Sequence, residues 1–345
     1  MVDLTPEQLD IVASVNLEDG IYVVDAAAGS GKTTTAEEIV KKFVEQNPNS
    51  SVLCLVRGKD MRAKLEKDIG YLKNVDFSTV HSYAYNKYKK FKRINNVAES
   101  KKDLFECIGK LKAELRAIDP DSKYVSANDI SNLFSSYYSN EKYKTVDSYV
   151  SYLIKDRKRI QSAALSVRAS EKTLDCFHFI YNTMLQRGTY THDMYLKEYA
   201  LNCNDVSEYD LVVIDEAQDL GRDYYDSISG FKVSYGADDS QILYPDHCSR
   251  QAELRSRFPA NVGYTLDKNF RSTQSIMKFA KQAFPEAYIP MSLINALSNN
   301  VGDRPTLIVT QCNAFGAVSN ADQNNAIKRI IDTFRSGTHN IAILV

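Results

Sequence analysis

The sequence has no tryptophan, no C-x-x-C pair and no marked excess of charge of either sign. Its six cysteines are scattered, so neither a disulfide scaffold nor a paired-cysteine metal site is indicated, and we expect reduced thiols. A net charge of −1 excludes a surface that is basic throughout but is compatible with a local basic groove. No apolar run approaches the about 20 residues that cross a bilayer, and no secretory leader is recognised. We therefore expect a cytoplasmic chain, or a nuclear one in a eukaryote, with no membrane partner.

A glycine-rich turn stands between a predicted strand and a predicted helix near the start of the chain. Residues 21–26 (IYVVDA) are β-branched and aromatic, and helical periodicity follows Lys32. The pattern G-x-x-x-x-G-K-[ST] is met only in its second half, because Ala26 stands at the first glycine position. Even so, such a turn lets successive N–H groups face a phosphate at the positive end of a helix dipole. These flanks favour a nucleotide site over a chance glycine turn.

Each residue of this turn has an expected task. Lys32 is expected to reach the β- and γ-phosphates of the nucleotide, and Thr33 to place its hydroxyl on Mg²⁺. The predicted nucleotide-binding residues of the turn are Ala28, Gly29, Ser30, Gly31, Lys32, Thr33 and Thr34.

A second motif, YDLVVIDEA (209–217), reads as an apolar strand that ends in two acids. Asp215 would lie at the strand tip, where a carboxylate can hold Mg²⁺ through water. Glu216 would then orient and deprotonate an attacking water. A merely solvated acidic loop is the alternative, but it is less favoured directly behind four apolar residues in a chain that also carries the glycine turn.

Strand-like and helical segments alternate at both ends of the chain, with further strands predicted at 51–56, 231–239 and 262–273. This alternation predicts an α/β fold with a parallel sheet and ligands at the carboxyl ends of its strands. Residues 86–190 differ, because they are helical, rich in Lys, Tyr and Ser, and show no convincing strand. They are predicted to form a helical insertion.

Two basic clusters lie within that insertion, KYKKFKR (87–93) and KDRKR (155–159). Cations interleaved with aromatic rings such as Tyr88 and Phe91 suit a single-stranded nucleic acid, since the backbone and the bases are both contacted. A solvated helix face explains such charge runs equally well. Both interpretations remain open from the residues alone.

Taken together, AGSGKT (28–33) and DEAQD (215–219) resemble motifs of the UvrD/Rep group of superfamily 1 DNA helicases. Further segments resemble other motifs in that group's order: LTPEQ (4–8), STVHSYAY (78–85), YGADDSQILY (235–244), NFRS (269–272) and IAILV (341–345). The stretch YTHDMYLKEY (190–199) is similar to the sequence segment that precedes the acidic strand in F-box DNA helicases and their bacterial and phage relatives. Alanine at the position of Ala26 is common in this group.

The resemblance implies a RecA-like P-loop NTPase sheet with a helical insertion and the start of a second RecA-like domain. The first motor domain would comprise 1–85 and 191–270, the insertion 86–190, and the incomplete second domain 271–345. The implied function is that of a monomeric ATP-dependent helicase or translocase on single-stranded DNA, or its N-terminal portion, with ATP and Mg²⁺ as cofactors. A nucleotide-dependent DNA-binding module without a complete motor is the alternative, and for this chain alone we expect weak hydrolysis and no unwinding.

The resemblance also implies roles for individual residues. Gln8 would recognise the adenine edge, Gln241 would sense the γ-phosphate, and Arg271 would serve as an arginine finger beside Glu216. The implied DNA contacts are Lys59, Thr79, His81 and Tyr244. For His81, a histidine satisfied at a helix start is the alternative. The family usually has Phe-Asn-Lys or Thr-Asn-Lys where this chain has VRGKD (56–60).

Overall fold

A computed structural model describes most of the first 283 residues of the chain. The described residues are 3–17, 21–26, 29–56, 58–140, 142–202, 206–219, 232–237, 262–266, 268–283 and 301, with isolated residues 325 and 328. Contacts divide the chain into two compact units, one of Met1–Arg271 with Ala287–Leu297 and one of Ser272–Glu286 with Ser298–Val345. None of the helices in these ranges combines the length and apolar character that a membrane crossing requires.

The centre of the first unit is a six-stranded parallel sheet. In chain order the strands of the described residues are β1 (Ile21–Ala26), β2 (Val52–Val56), β3 (Val75–Thr79), β4 (Asn96–Ala98), β5 (Thr189–Thr191), β6 (Leu211–Ile214), β7 (Lys232–Ala237) and β8 (Val262–Leu266). The large sheet has the order β3-β2-β6-β7-β1-β8, and its neighbours are parallel throughout. The predicted α/β fold with a parallel sheet is confirmed.

Helices connect these strands and cover both faces of the sheet. Within its described residues, the α-helices of the first unit are α1 (Pro6–Leu17), α2 (Lys32–Gln46), α3 (Lys59–Ile69), α4 (Val80–Phe91), α5 (Lys101–Ile118), α6 (Ala127–Tyr138), α7 (Val146–Leu153), α8 (Arg157–Ala163), α9 (Glu171–Gln186) and α10 (His192–Asn202). In the second unit, α11 (Gln274–Ala283) is described, and Ser275 N donates to Val301 O at 3.2 Å.

Alternate residues of β1, β2 and β6 enter two different cores, as the two-residue period of a strand requires. One core lies between the sheet and helices α1 and α2, and its strand residues include Tyr22, Val24, Val52, Cys54, Leu211 and Val213. The other core takes Val23, Leu53, Leu55, Val212 and Ile214 and continues into the helices between β3 and β6. Burial on both faces explains why β2 and β6 contain only apolar residues.

The predicted helical insertion needs one correction, because strands do occur within and beside it. β4 pairs with β5 in parallel, forming a small second sheet. Each of these strands is only three residues long, which is too short for an alternating pattern to be recognised. Many tyrosines of this region are structural, since Tyr137, Tyr149 and Tyr181 are each 1% exposed within the helical core.

Candidate functional site

The turn after β1 has the conformation that a phosphate loop requires. Gly29 and Gly31 have φ values of 77° and 87°, a region that favours glycine because it has no Cβ. Lys32 begins α2 directly after this turn, and its side chain is 8% exposed. Its Nζ donates to the carbonyl oxygen of Ala26 at 3.2 Å. The lysine is therefore held above the carboxyl end of β1, at the N-terminus of a helix.

The residues of the turn fit a bound phosphate. Ser30 is 1% exposed, and within the described part of the chain its Oγ has no hydrogen-bond partner. A buried polar atom without a partner is costly, and a ligand oxygen would remove that cost. The turn opens on a cleft of about 510 Å³, a volume suited to a small-molecule ligand. Gly29, Gly31, Lys32, Thr33 and Thr34 line this cleft, as predicted for nucleotide-binding residues.

The two acids after β6 lie against the turn. The Thr33 hydroxyl donates to Asp215 Oδ2 at 3.1 Å, so the two predicted Mg²⁺ ligands are adjacent. Glu216 Oε2 lies 3.8 Å from Lys32 Nζ, and its side chain is 28% exposed at the cleft. Glu216 has a φ of 56°, a conformation that is strained for a residue with a side chain. Strained residues concentrate at functional sites, where the surrounding structure fixes them.

The electrostatics of Asp215 favour a cation beside it. Burial raises the pKa of this carboxyl, and the neighbouring Glu216 carboxylate raises it further, while Lys32 and the Thr33 hydroxyl act in the opposite direction. A carboxylate that is 6% exposed is stabilised by a nearby positive charge. Hard oxygen ligands of this kind suit Mg²⁺, so Thr33 and Asp215 fit the predicted metal role.

Gln8 is placed at the cleft by the start of α1. Thr5 N donates to Gln8 Oε1 at 3.0 Å and Gln8 N donates to Thr5 Oγ1 at 3.3 Å, a reciprocal helix cap. The Gln8 Nε2 also donates to Thr35 Oγ1 of α2 at 3.0 Å. Gln8 is 3% exposed yet lines the cleft beside Gly31. The amide that would recognise an adenine is thus fixed by two helices.

The segment after β8 closes another side of the cleft. Phe270 N donates to Gly29 O at 2.9 Å, which joins this segment directly to the phosphate loop. Asn269 is 5% exposed, and its Oδ1 accepts from Arg271 N at 2.9 Å. Arg271 lines the cleft together with Lys32 and Glu216. Arg271, the predicted arginine finger, therefore lies at the same cleft as the phosphate loop.

Replacing Gly29 by alanine should destabilise the fold and weaken nucleotide binding. The new Cβ would lie 2.7 Å from Arg271 Cβ and 3.0 Å from Asn269 Oδ1, at a φ that costs about 1–2 kcal/mol. Gly109→Ala is the matched control, because its Cβ would meet nothing within 4 Å, and there we expect a gain of about 0.5–1 kcal/mol. Denaturant unfolding of both variants measures the change in the free energy of unfolding. A Gly29→Ala protein as stable as the parent would contradict the described packing.

Three of the four predicted DNA contacts, Lys59, Thr79 and His81, lie at the carboxyl edge of the same sheet. Lys59 is exposed as the first residue of α3, just after β2. Thr79 ends β3 and is 6% exposed. Its hydroxyl accepts a hydrogen bond from Ser82 N at 3.1 Å and caps α4. His81 is exposed on the first turn of α4. Ala28, Gln241 and Tyr244 lie outside the described residues.

Some residues of the two basic clusters are engaged with the protein itself. Tyr88 is 2% exposed and its hydroxyl lies 3.4 Å from that of Tyr190, so it belongs to the core and not to a base-stacking surface. Lys87 pairs with Glu208. Arg159 stacks 4.3 Å from the centre of the Tyr152 ring. Phe91, at 54% exposed, remains accessible.

Two residues that shape the site were not singled out from the sequence. Gln218 is 1% exposed and donates from Nε2 to Glu216 Oε2 at 2.8 Å, so it orients the carboxylate. Asn269 positions Arg271, as described above. Both stand inside recognised motifs, DEAQD and NFRS, but neither hydrophobic periodicity nor charge marks a positioning amide.

Comparison with known proteins agrees with this geometry. No curated protein matches the chain. The family model of the AAA domain matches residues 8–229, which include the phosphate loop, the acidic strand and the helices between them. This P-loop domain type is found in UvrD/Rep-like helicases. The chain belongs to the AAA domain family.

Proposed function

We propose that the chain is an ATP-dependent translocase or helicase on single-stranded DNA, of the UvrD/Rep-like superfamily 1 group. Its sequence motifs are similar to those of the F-box DNA helicases and their bacterial and phage relatives. One observation carries the nucleotide part of this proposal. Lys32, Thr33 and Glu216 line one cleft, where Lys32 Nζ lies 3.8 Å from Glu216, and Asp215 lies directly behind Thr33, whose hydroxyl donates to it at 3.1 Å.

The chemistry follows from this arrangement. Lys32 and the N–H groups at the start of α2 would bind the phosphates of ATP. Thr33 and Asp215 would hold Mg²⁺, which supplies positive charge against the phosphate oxygens when bound. Glu216 would take a proton from the attacking water, and Gln218 keeps its carboxylate oriented. Arg271 would stabilise the charge that develops on the transferred phosphoryl group.

The shared edge of the sheet supports coupling to DNA. The sheet is parallel, so the segments after β1, β2, β3 and β6 all emerge at the carboxyl edge. Lys32 and Asp215 follow β1 and β6, whereas Lys59 and His81 follow β2 and β3. A DNA strand bound along Lys59 and His81 would lie on the same rigid sheet as the nucleotide. Changes at the cleft would therefore be transmitted through short connections.

Replacing Lys32 by alanine should weaken binding of a non-hydrolysable ATP analogue with Mg²⁺ by about 10- to 100-fold, the value of a charged hydrogen bond. Lys41→Ala is the control on the same helix, because Lys41 pairs with Glu38 away from the cleft, and its affinity should equal that of the parent. Isothermal titration calorimetry measures both. Equal binding by the Lys32 variant would remove the phosphate-loop assignment.

The DNA part is tested by phosphate release from ATP with and without single-stranded oligonucleotide. Stimulation by single strands, exceeding that by blunt duplex, is expected from a single-strand motor. A chain that binds ATP but shows no response to any single strand would contradict the translocase proposal and leave only the nucleotide site.

A further inference from the structure

A row of aromatic and basic side chains runs along α4 beside the carboxyl edge of the sheet. His81, Tyr85 and Lys89 are spaced four residues apart, so they lie on one face of the helix. Lys89 Nζ lies 5.7 Å from the centre of the Tyr85 ring. The row begins two residues after β3 ends at Thr79.

Helix α10 adds two rings to this row. The His192 ring lies 5.7 Å from that of His81, edge to face. Tyr195 contacts His81 at 6.2 Å, Tyr85 at 5.5 Å and His192 at 5.6 Å between ring centres. We call His81, Tyr85, Lys89 and His192, with Tyr195 beneath them, the α4 row.

The α4 row has a buried floor and an accessible top. Tyr195 is 3% exposed, and its hydroxyl lies 2.8 Å from His192 Nδ1. His81, His192 and Lys89 are exposed, and Tyr85 is half-buried. Exposed rings fixed by a buried ring lose little conformational freedom when a ligand binds, which favours affinity.

A metal ion is a poor fit for the two histidines. Within the described ranges of the chain, no group of three or more His, Cys, Asp or Glu is arranged to hold a metal. Flat π faces joined to a cation instead suit a nucleobase next to a phosphate. His81 and Lys89 are about 12 Å apart along the helix, a distance that a few nucleotides of a single strand can span.

We propose that the α4 row is a nucleobase-binding site, in which the rings of His81, Tyr85 and His192 contact successive bases of a single strand and Lys89 contacts its backbone. This inference rests on the proposed function in taking nucleic acid as the ligand. It extends that function by adding Tyr85 and His192, from two different helices, as base contacts. Tyr195 acts as a positioning residue.

The test is a binding measurement with a labelled single-stranded oligonucleotide and an abasic oligonucleotide of equal length and charge. His192→Ala should weaken binding of the normal strand by about 5- to 100-fold, as expected for loss of one stacked base, and leave binding of the abasic strand unchanged. Tyr85→Leu should show the same pattern. His178→Ala is the matched control, because His178 is accessible but pairs with Asp147 on α7.

A separate measurement tests the basic end of the row. Lys89→Gln should reduce the slope of log affinity against log salt by about 0.7, the value for one phosphate contact on a single strand. Lys110→Gln, at an exposed lysine of α5 paired with Glu106, should leave the slope unchanged. An unaltered slope for Lys89→Gln would remove Lys89 from the row.

The remaining outcomes separate this inference from the proposed function. If the parent chain binds single strands and His192→Ala binds each oligonucleotide as tightly as the parent does, the proposal for the α4 row is wrong and the translocase proposal stands. Equal losses on normal and abasic strands would also overturn the base contact. If the parent chain binds no single strand, both proposals fail. Thermal unfolding of each variant confirms that the fold is intact.

Discussion

Replacement of Arg271 by alanine should lower the rate of ATP hydrolysis by about 10³- to 10⁵-fold, the range that an arginine finger contributes. The expectation follows from geometry, because Arg271 lines the cleft with Lys32 and Glu216. Its backbone N–H donates to the Asn269 side chain, and the preceding residue is held by the hydrogen bond from Phe270 N to Gly29 O. An arginine held in this way stabilises transition-state charge without a large cost of reorganisation.

Single-turnover phosphate release, measured with saturating single-stranded DNA, gives this rate. Affinity for an ATP analogue should change much less, since the arginine acts mainly on charge that develops during the reaction. Arg187→Ala is the control, because Arg187 is exposed and pairs with Glu114 in the helical region. A loss of less than about tenfold for Arg271→Ala would show that Arg271 is not the finger.

Replacement of Glu216 by glutamine should keep Mg-nucleotide affinity and reduce hydrolysis by about 10²- to 10⁴-fold, the value of a general base. Glutamine preserves the size of the side chain and keeps an oxygen that accepts the hydrogen bond from Gln218 Nε2. It cannot take a proton from water. The loss should therefore appear in the chemical step and not in binding.

The control for this change is Glu208→Gln, at an exposed acid that pairs with Lys87. Its hydrolysis rate should match that of the parent. Calorimetric titration with the ATP analogue verifies that Glu216→Gln still binds. Full turnover by Glu216→Gln would show that another group activates the water.

The sequence was most informative where local pattern and sheet geometry coincide. β1 has the predicted bounds 21–26, and β6 lies within the predicted segment 209–217. Parallel strands bring their carboxyl ends to one edge, which is why Lys32 and Asp215 could be expected to meet although they are far apart in the chain. The observed hydrogen bond from Thr33 to Asp215 is the direct expression of that rule.

Other features depend on long-range packing that no local pattern records. Tyr88 lies in a run of lysines, yet it is buried because it packs against Tyr190 of β5. β3, whose two-residue burial pattern is incomplete, was not predicted as a strand, and only its last two residues stand in a recognised motif, STVHSYAY (78–85). The edge-to-face contacts between α4 and α10 join residues more than 100 positions apart, so the α4 row could not be read from either helix alone.

The position of β1 between β7 and β8 also determines when the nucleotide site can form during synthesis. β1 ends at Ala26, but its two neighbours begin only at Lys232 and Val262. The backbone N–H and C=O groups on both edges of β1 therefore have no strand partner until most of the first unit has been translated. Strands that are so far apart in sequence pair slowly, and unpaired strand edges promote aggregation. The phosphate loop is therefore translated well before β7 and β8, the two strands that pair with β1 and stabilise it in the sheet.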